Sequence, residues 1–273
     1  EKGTLSFDEL AKRMIDAKAP GIANLIKKLS TIDFYKEGWE NDFLSQLVHI
    51  YSIITAYKNA SSINSLLMGD VKNLIGFTTK QEQLLTYDGI TDNWLVIGKE
   101  QLLEDTILVE RNWLYGIESK KYALILQFSV RWQINSALLV PGSCIHATLI
   151  FYPSAMPLRA IVKEQHNIVG TPQNIAAFLN WKKVADSCIN SRLTLPFNQD
   201  LPFIVQQVTP LFYQNTWWLK DEESSIVKLE ATENVLYNLL ALSGGNAITV
   251  TVVGNNHIFK PIGVWKHHQF ISL

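Results

Sequence analysis

Cysteine is nearly absent from this chain: Cys144 and Cys188 are the two among 273 residues. Two thiols do not make the disulfide framework of a small secreted scaffold, and a reducing compartment fits that usage better. Basic excess is missing as well. With 24 Lys and Arg against 25 Asp and Glu, the formal charge is −1. The densest basic clusters are the neighbours Lys27 and Lys28 and the neighbours Lys182 and Lys183, which is what a solvated helix face carries. Nucleic-acid-binding proteins usually show a basic excess or a clustered basic face. No apolar run approaches the ~20 residues that a membrane span needs. The stretch 7–29 is interrupted by Asp8, Glu9, Lys12, Arg13 and Asp16, so it lacks a secretory signal pattern. A cytoplasmic chain without a membrane span is the expectation. Low-complexity tracts are absent. So are the Gly-x-Ser-x-Gly, His-Glu-x-x-His and Gly-x-Gly-x-x-Gly signatures of common hydrolases, metalloproteases and dinucleotide-binding enzymes.

What is present is core material. Hydrophobic residues make up 47% of the chain, including 8 Trp, 9 Tyr and 12 Phe. A chain of this length can bury a large core and is long enough for about two domains.

Residues 1–86 read as helical. Ser6 and Glu9 stand at capping-box spacing, and Phe7, Leu10, Met14 and Ala17 share one helical stripe. Ala19-Pro20-Gly21 breaks that helix, and Pro20 can open the next one, whose buried face is Ile22, Leu25, Ile26 and Leu29. Phe43, Leu44, Leu47, Val48, Tyr51 and Ile54 recur at helical spacing after Trp39. Two short helices are expected at 64–67 and 70–75, separated at Gly69, and Thr79 with Glu82 repeats the capping-box spacing.

The pattern changes at the Tyr87-Asp88-Gly89 turn signal. Short runs at 94–97, 107–115, 122–130 and 145–152 are rich in β-branched and aromatic residues, so 87–168 reads as an antiparallel sheet. In 107–113 both alternating faces mix apolar and polar residues, as in a strand covered on both sides over part of its length.

From 169 to 273 a smaller α+β part is expected. Thr171-Pro172 resembles a helix start, with Trp181, Val184, Ala185 and Cys188 on one face. A strand at 203–208 and a hairpin pairing 212–219 with 226–229 follow. A helix at 233–242 stops at Gly244-Gly245, and a last hairpin turns at Gly254-Asn255-Asn256. These strands make a second sheet or complete the first. The fold class is α+β: a helical N-terminal part, a central antiparallel β-sheet and a smaller α+β C-terminal part.

Arg111, Trp113, Tyr152 and Arg159 are the binding candidates, because Arg beside exposed aromatics is the composition of interface hot spots and of base-stacking surfaces. Packed rings with paired Arg residues are the competing and favoured reading. Cys144 and His146 share a strand face and could form a thiol–imidazole pair, but no third group orients them. His257, His267 and His268 lie near the C-terminus, where adjacent strand residues point to opposite faces, against a shared metal. Ser243-Gly244-Gly245-Asn246 follows a helix and lacks the Lys-Ser/Thr of a phosphate loop, so it reads as a helix cap. No catalytic residue and no metal ligand emerges.

Six segments in order carry a resemblance: RMIDAKAPGIA (13–23), GDVKNLIGFT (69–78), DNWLVIG (92–98), VERNWLYG (109–116), FYPSAMPLRA (151–160) and LLALSGG (239–245). Together they resemble the C-terminal region of bacterial SWIM zinc-finger family proteins. The family's zinc module has a Cys-x-Cys pair followed by Cys-x-His. This sequence has no Cys-x-Cys, and Cys144-Ile145-His146 is its one Cys-x-His spacing, so the four ligands of a structural zinc site are not present. No cofactor is therefore expected in this chain, and zinc only in a module outside it. The resemblance implies a non-catalytic interaction or regulatory domain that docks a protein partner or helps position nucleic acid. Family association points to a MoxR-type ATPase or a von Willebrand factor A-type protein as partner. The alternative is an enzyme or small-ligand domain with a cleft between helices and sheet.

Overall fold

The computed structural model describes residues 7–104, 107–130, 139–170, 175–197, 200–255, 258–266 and 269–273. The chain divides into two compact units, Glu1–Leu84 with Pro153–Met156, and Leu85–Tyr152 with Pro157–Leu273.

The first unit is a helical bundle: α1 (Asp8–Asp16), α2 (Pro20–Leu29), α3 (Trp39–Lys58), α4 (Ser65–Ile75) and the short α5 (Gln81–Leu84). Ser6, and with it the capping box, lies outside the described residues. Pro20 opens α2, and the buried residues are Ile22, Ala23, Ile26 and Leu29, with Leu25 partly covered. Pro20-Gly21 lies against the end of α4. A Cβ on Gly21 would strike the Leu74 carbonyl, and Gly76 leaves α4 at φ 121° beside the Pro20 ring. The expected break at Gly69 does not occur. One helix runs through it, capped by Asn64, whose side chain accepts from the Leu67 amide at 2.8 Å. A single interior glycine costs a helix only about 1 kcal/mol, which packing of Val71 and Ile75 outweighs. In α3 the buried residues are Ile50 and Ile53, whereas Leu44, Leu47, Val48, Tyr51 and Ile54 face outward.

The second unit begins with β1 (Ile90–Glu104), β2 (Ile107–Gly116), β3 (Tyr122–Val130), β4 (Cys144–Phe151) and β5 (Arg159–Val169). These close into a barrel in the order β1-β2-β3-β5-β4. All pairings are antiparallel except β3 with β5, which run parallel through Leu124 with Arg159 and Ile125 with Ala160. The expected sheet is thus present, but closed, and the closure adds this one parallel contact. Trp94, Val96, Leu114, Ile125, Ile145 and Leu149 fill the interior. The indole of Trp94 donates to the Ala147 carbonyl at 3.1 Å.

The remainder holds α6 (Trp181–Thr194), β6 (Leu201–Tyr213), β7 (Thr216–Lys220), β8 (Ile226–Leu229), α7 (Glu233–Ser243), β9 (Ile248–Gly254), β10 (Ile258–Lys266) and β11 (Gln269–Ser272). The second sheet runs β11-β10-β8-β7-β6-β9, and the additional β9–β10 pairing closes five of its six strands. Here the third strand, β8, pairs in parallel with the fifth, β10. Both rings therefore share one connectivity, that of a small five-stranded Greek-key barrel of the OB type. Two local expectations change. α6 starts after Asn180, whose side chain accepts from the Lys183 amide, while the Trp181 amide donates to Asp221. Residues 175–180 are not helical, and Thr171-Pro172 lie outside the described residues. The run 212–219 is two strands, turned at Gln214 and Asn215 with φ 47° and 57°.

Candidate functional site

The four binding candidates separate into two pairs. Arg111 and Trp113 point outward from β2, on the barrel wall that meets β10 of the second ring. Trp113 is fully buried, and its indole donates to Glu100 Oε2 at 2.9 Å. The Arg111 guanidinium lies 5.2 Å from the Trp113 ring centroid. Glu100 also accepts from Lys260 Nζ at 2.8 Å. Burial by itself raises the Glu100 carboxyl, but hydrogen bonds from Lys260 and Trp113, with the charges of Lys260 and Arg111, outweigh it. The net shift is downward. This cluster joins the two rings, and Gly98 nearby lets Ile262 approach where a Cβ would collide.

Tyr152 and Arg159 flank the connection between β4 and β5. The Tyr152 amide donates to the Arg159 carbonyl at 2.9 Å, and the exposed guanidinium sits 4.5 Å from the Tyr152 ring centroid. That arrangement is a cation–π pair stacked on its own hairpin. The two pairs lie two strands apart on the outer face of the barrel, since Trp113 is in register with Leu124 and Leu124 with Arg159; Trp113 is covered there and Arg159 exposed.

Cys144 is buried on the outer face of β4. Burial, with a smaller contribution from the Asp92 charge, pushes its thiol above the ordinary range, opposite to what an activated nucleophile needs. His146 Nδ1 lies 2.9 Å from Asn93 Oδ1, and its ring is 5.3 Å from that of His166. His257, His267 and His268 lie outside the described residues. Among the described residues, no group of three or more His, Cys, Asp or Glu is arranged to hold a metal ion. Ser243-Gly244-Gly245 caps α7: Gly244 is left-handed at φ 59° and its amide donates to the Leu240 carbonyl.

A further exposed aromatic cluster was not among the candidates. It is built by the tight turn between β6 and β7. Phe212 pairs with Trp217 across the two strands, ring centroids 5.1 Å apart, and Trp217 meets Tyr237 of α7 edge-on at 5.6 Å. Phe212 is 56% exposed, Tyr213 62% and Tyr237 57%. Trp218, partly covered, donates its indole N–H to the Tyr213 carbonyl. The signal was present as FYQNTWW, in which two polar residues separate two aromatic pairs. Reading 212–219 as one strand hid it. A turn there sets Phe212 against Trp217 on one face of the hairpin, while Tyr213 lies on the opposite face.

Residues 1–75 match a family model described as a SWIM-associated four-helix bundle domain. That span contains α1 to α4, and it supports the SWIM association for the helical unit. No curated protein sequence matches the chain. Among the described residues, no helix is long and apolar enough to cross a membrane.

Proposed function

We propose that this chain is a non-catalytic docking domain accompanying a SWIM module, and that it presents a protein partner with the aromatic surface of Phe212, Trp217 and Tyr237. The observation behind the reading is that surface itself. Large rigid rings held partly out of water on a short hairpin and the helix beside it are the composition of interface hot spots. Their exposure has an energetic cost that burial against a partner recovers, at roughly 25 cal/mol per Å² of apolar area. A MoxR-type ATPase or a von Willebrand factor A-type protein is the partner class that the resemblance suggests.

A second reading is favoured by the strand order, since OB-type barrels also present aromatics to single-stranded nucleic acid. The near-neutral charge weighs against it, because phosphate contacts dominate such affinities.

One experiment separates these. The chain and a Phe212→Ala/Tyr237→Ala variant are compared for capture of the two candidate protein classes, and for binding of labelled oligo(dT) at low and high salt. Loss of protein capture in the variant, with an unchanged circular dichroism spectrum, is the expected result. Steeply salt-dependent oligonucleotide binding without protein capture would install the second reading. Equal capture by variant and parent would remove this surface from the interaction.

A further inference from the structure

The outward stripe of α3 has a pattern that the bundle does not use. α3 is 20 residues long, about 30 Å at helical rise. Its inward side contributes Ile50 and Ile53 to the bundle. On the other side Leu44, Leu47, Tyr51 and Ile54 are spaced three, four and three apart, the alternation of a two-helix seam. Leu44 is 59% exposed and Tyr51 70%. Continuing that alternation by one step in each direction reaches Glu40 at the N-terminal end and Lys58 at the C-terminal end. Both are exposed, and neither has an ion-pair partner among the described residues.

The order of these six residues is symmetric about His49. Glu40 and Lys58 each lie nine positions from it, Leu44 and Ile54 five, and Leu47 and Tyr51 two. Laid antiparallel on itself, the stripe therefore sets apolar against apolar in its four inner layers and acid against base in both outer ones. A parallel alignment would set Glu40 against Glu40 and Lys58 against Lys58. The antiparallel arrangement also opposes the two helix dipoles favourably. The flanking outward positions Asn41, Val48 and Thr55 are uncharged, so no like charges face each other across the seam.

We propose that two copies of this chain associate through α3, packed antiparallel about a twofold axis at the level of His49. Leu44 of each copy meets Ile54 of the other, Leu47 meets Tyr51, and Glu40 meets Lys58. Such an interface is isologous, so every contact occurs twice. It comprises one helix pair, which places it among the small, concentration-dependent associations. It does not involve the aromatic surface at the β6–β7 turn, and either can fail without the other.

The test is sedimentation equilibrium of the 273-residue chain over a wide concentration range, with the 30.9 kDa monomer as reference. Mass should rise from monomer towards dimer with concentration. Leu47→Asp, at an outward position, should keep the chain monomeric at the highest concentration with its helical content intact. Glu40→Lys and Lys58→Glu should each weaken dimerisation about tenfold at low salt, because each puts like charges in both outer layers. The double variant Glu40→Lys/Lys58→Glu should regain the parent's affinity, since the swapped charges again face each other. Only self-pairing in the antiparallel sense predicts that rescue. A chain that stays monomeric at millimolar concentration overturns the proposal, as does a dimer insensitive to Leu47→Asp. A double variant no tighter than the single ones would point to a different occupant of α3.

Discussion

The Trp113 indole donates its N–H to the Glu100 carboxylate at 2.9 Å, in the wall between the two rings, and Lys260 reaches the same carboxylate from β10. One acidic side chain thus satisfies a buried donor of its own barrel and a cation of the other. Glu100 is 8% exposed, so removing it strands the indole donor. Glu100→Ala should lower unfolding free energy by about 2–3 kcal/mol, measured by urea denaturation. Lys260→Ala should cost less, because its side chain is half-exposed and water can replace part of what it provides.

The same carboxylate gives a pH signature. Its folded-state proton affinity lies below the ordinary glutamate value, so the stabilisation is complete above the unfolded pKa of about 4.3 and is lost as pH falls through the folded value. Glu100→Gln removes that contribution. The stability gap between parent and variant should therefore be widest near neutrality and narrow towards about pH 3. A gap independent of pH would show that the carboxylate's charge is not what stabilises the contact.

Asp92 holds the turn between β2 and β3. Its carboxylate accepts from the amides of Asn93, Glu118 and Ser119 at 2.6, 3.1 and 2.8 Å. A Cβ on Gly116 would fall 2.5 Å from Asp92 Oδ2. Asp92→Ala should destabilise by about 2 kcal/mol through the stranded amides. Gly116→Ala should do comparable damage by steric displacement of the carboxylate. The check is thermal unfolding of both variants and of the double. Sub-additive losses are expected, because both act on one group.

The Gln214-Asn215 turn is strained by composition. Both residues have positive φ, which Asn tolerates and Gln does not favour. Gln214→Asn with Asn215→Gly is the preferred pair for such a two-residue hairpin. It should raise stability by about 0.5–1 kcal/mol without moving the aromatic rings. A loss of stability would mean that the native side chains at this turn contribute contacts of their own.

Cys144 and Cys188 are both buried. Neither should react with a thiol reagent such as DTNB in the folded chain, and both should react at once in denaturant. Rapid labelling of Cys144 in native buffer would reopen the thiol–imidazole reading with His146.

Much of the element order was legible. Pro20 marked the start of α2, Gly244-Gly245 the end of α7, and the mixed faces of 107–113 a strand covered on both sides over part of its length. These signals are local, since they rest on a fixed φ, a left-handed cap and a period of two. Errors arose where a local signal was outweighed. Gly69 suggested a break that packing of Val71 and Ile75 overrides. Asp221, 40 positions from Trp181, supplies part of the start of α6, and nothing near residue 181 announces it. Sequence also does not separate the two readings of Arg beside Trp on a strand, solvent-facing or packed against a second layer as Trp113 is.

The α+β class and the succession of helices then strands were therefore determined by the sequence alone, through periodicity and turn chemistry. So was the symmetric stripe from Glu40 to Lys58, once its helix is granted. Closure was decided only in three dimensions. β3 meets β5, and β8 meets β10, through parallel pairings between strands distant in the chain, and register over such distances is set by which faces pack together. Two rings of one connectivity stand side by side without a residue-level repeat. Many apolar sets can fill a small barrel, and the strand order constrains which faces are buried more than which side chains fill them.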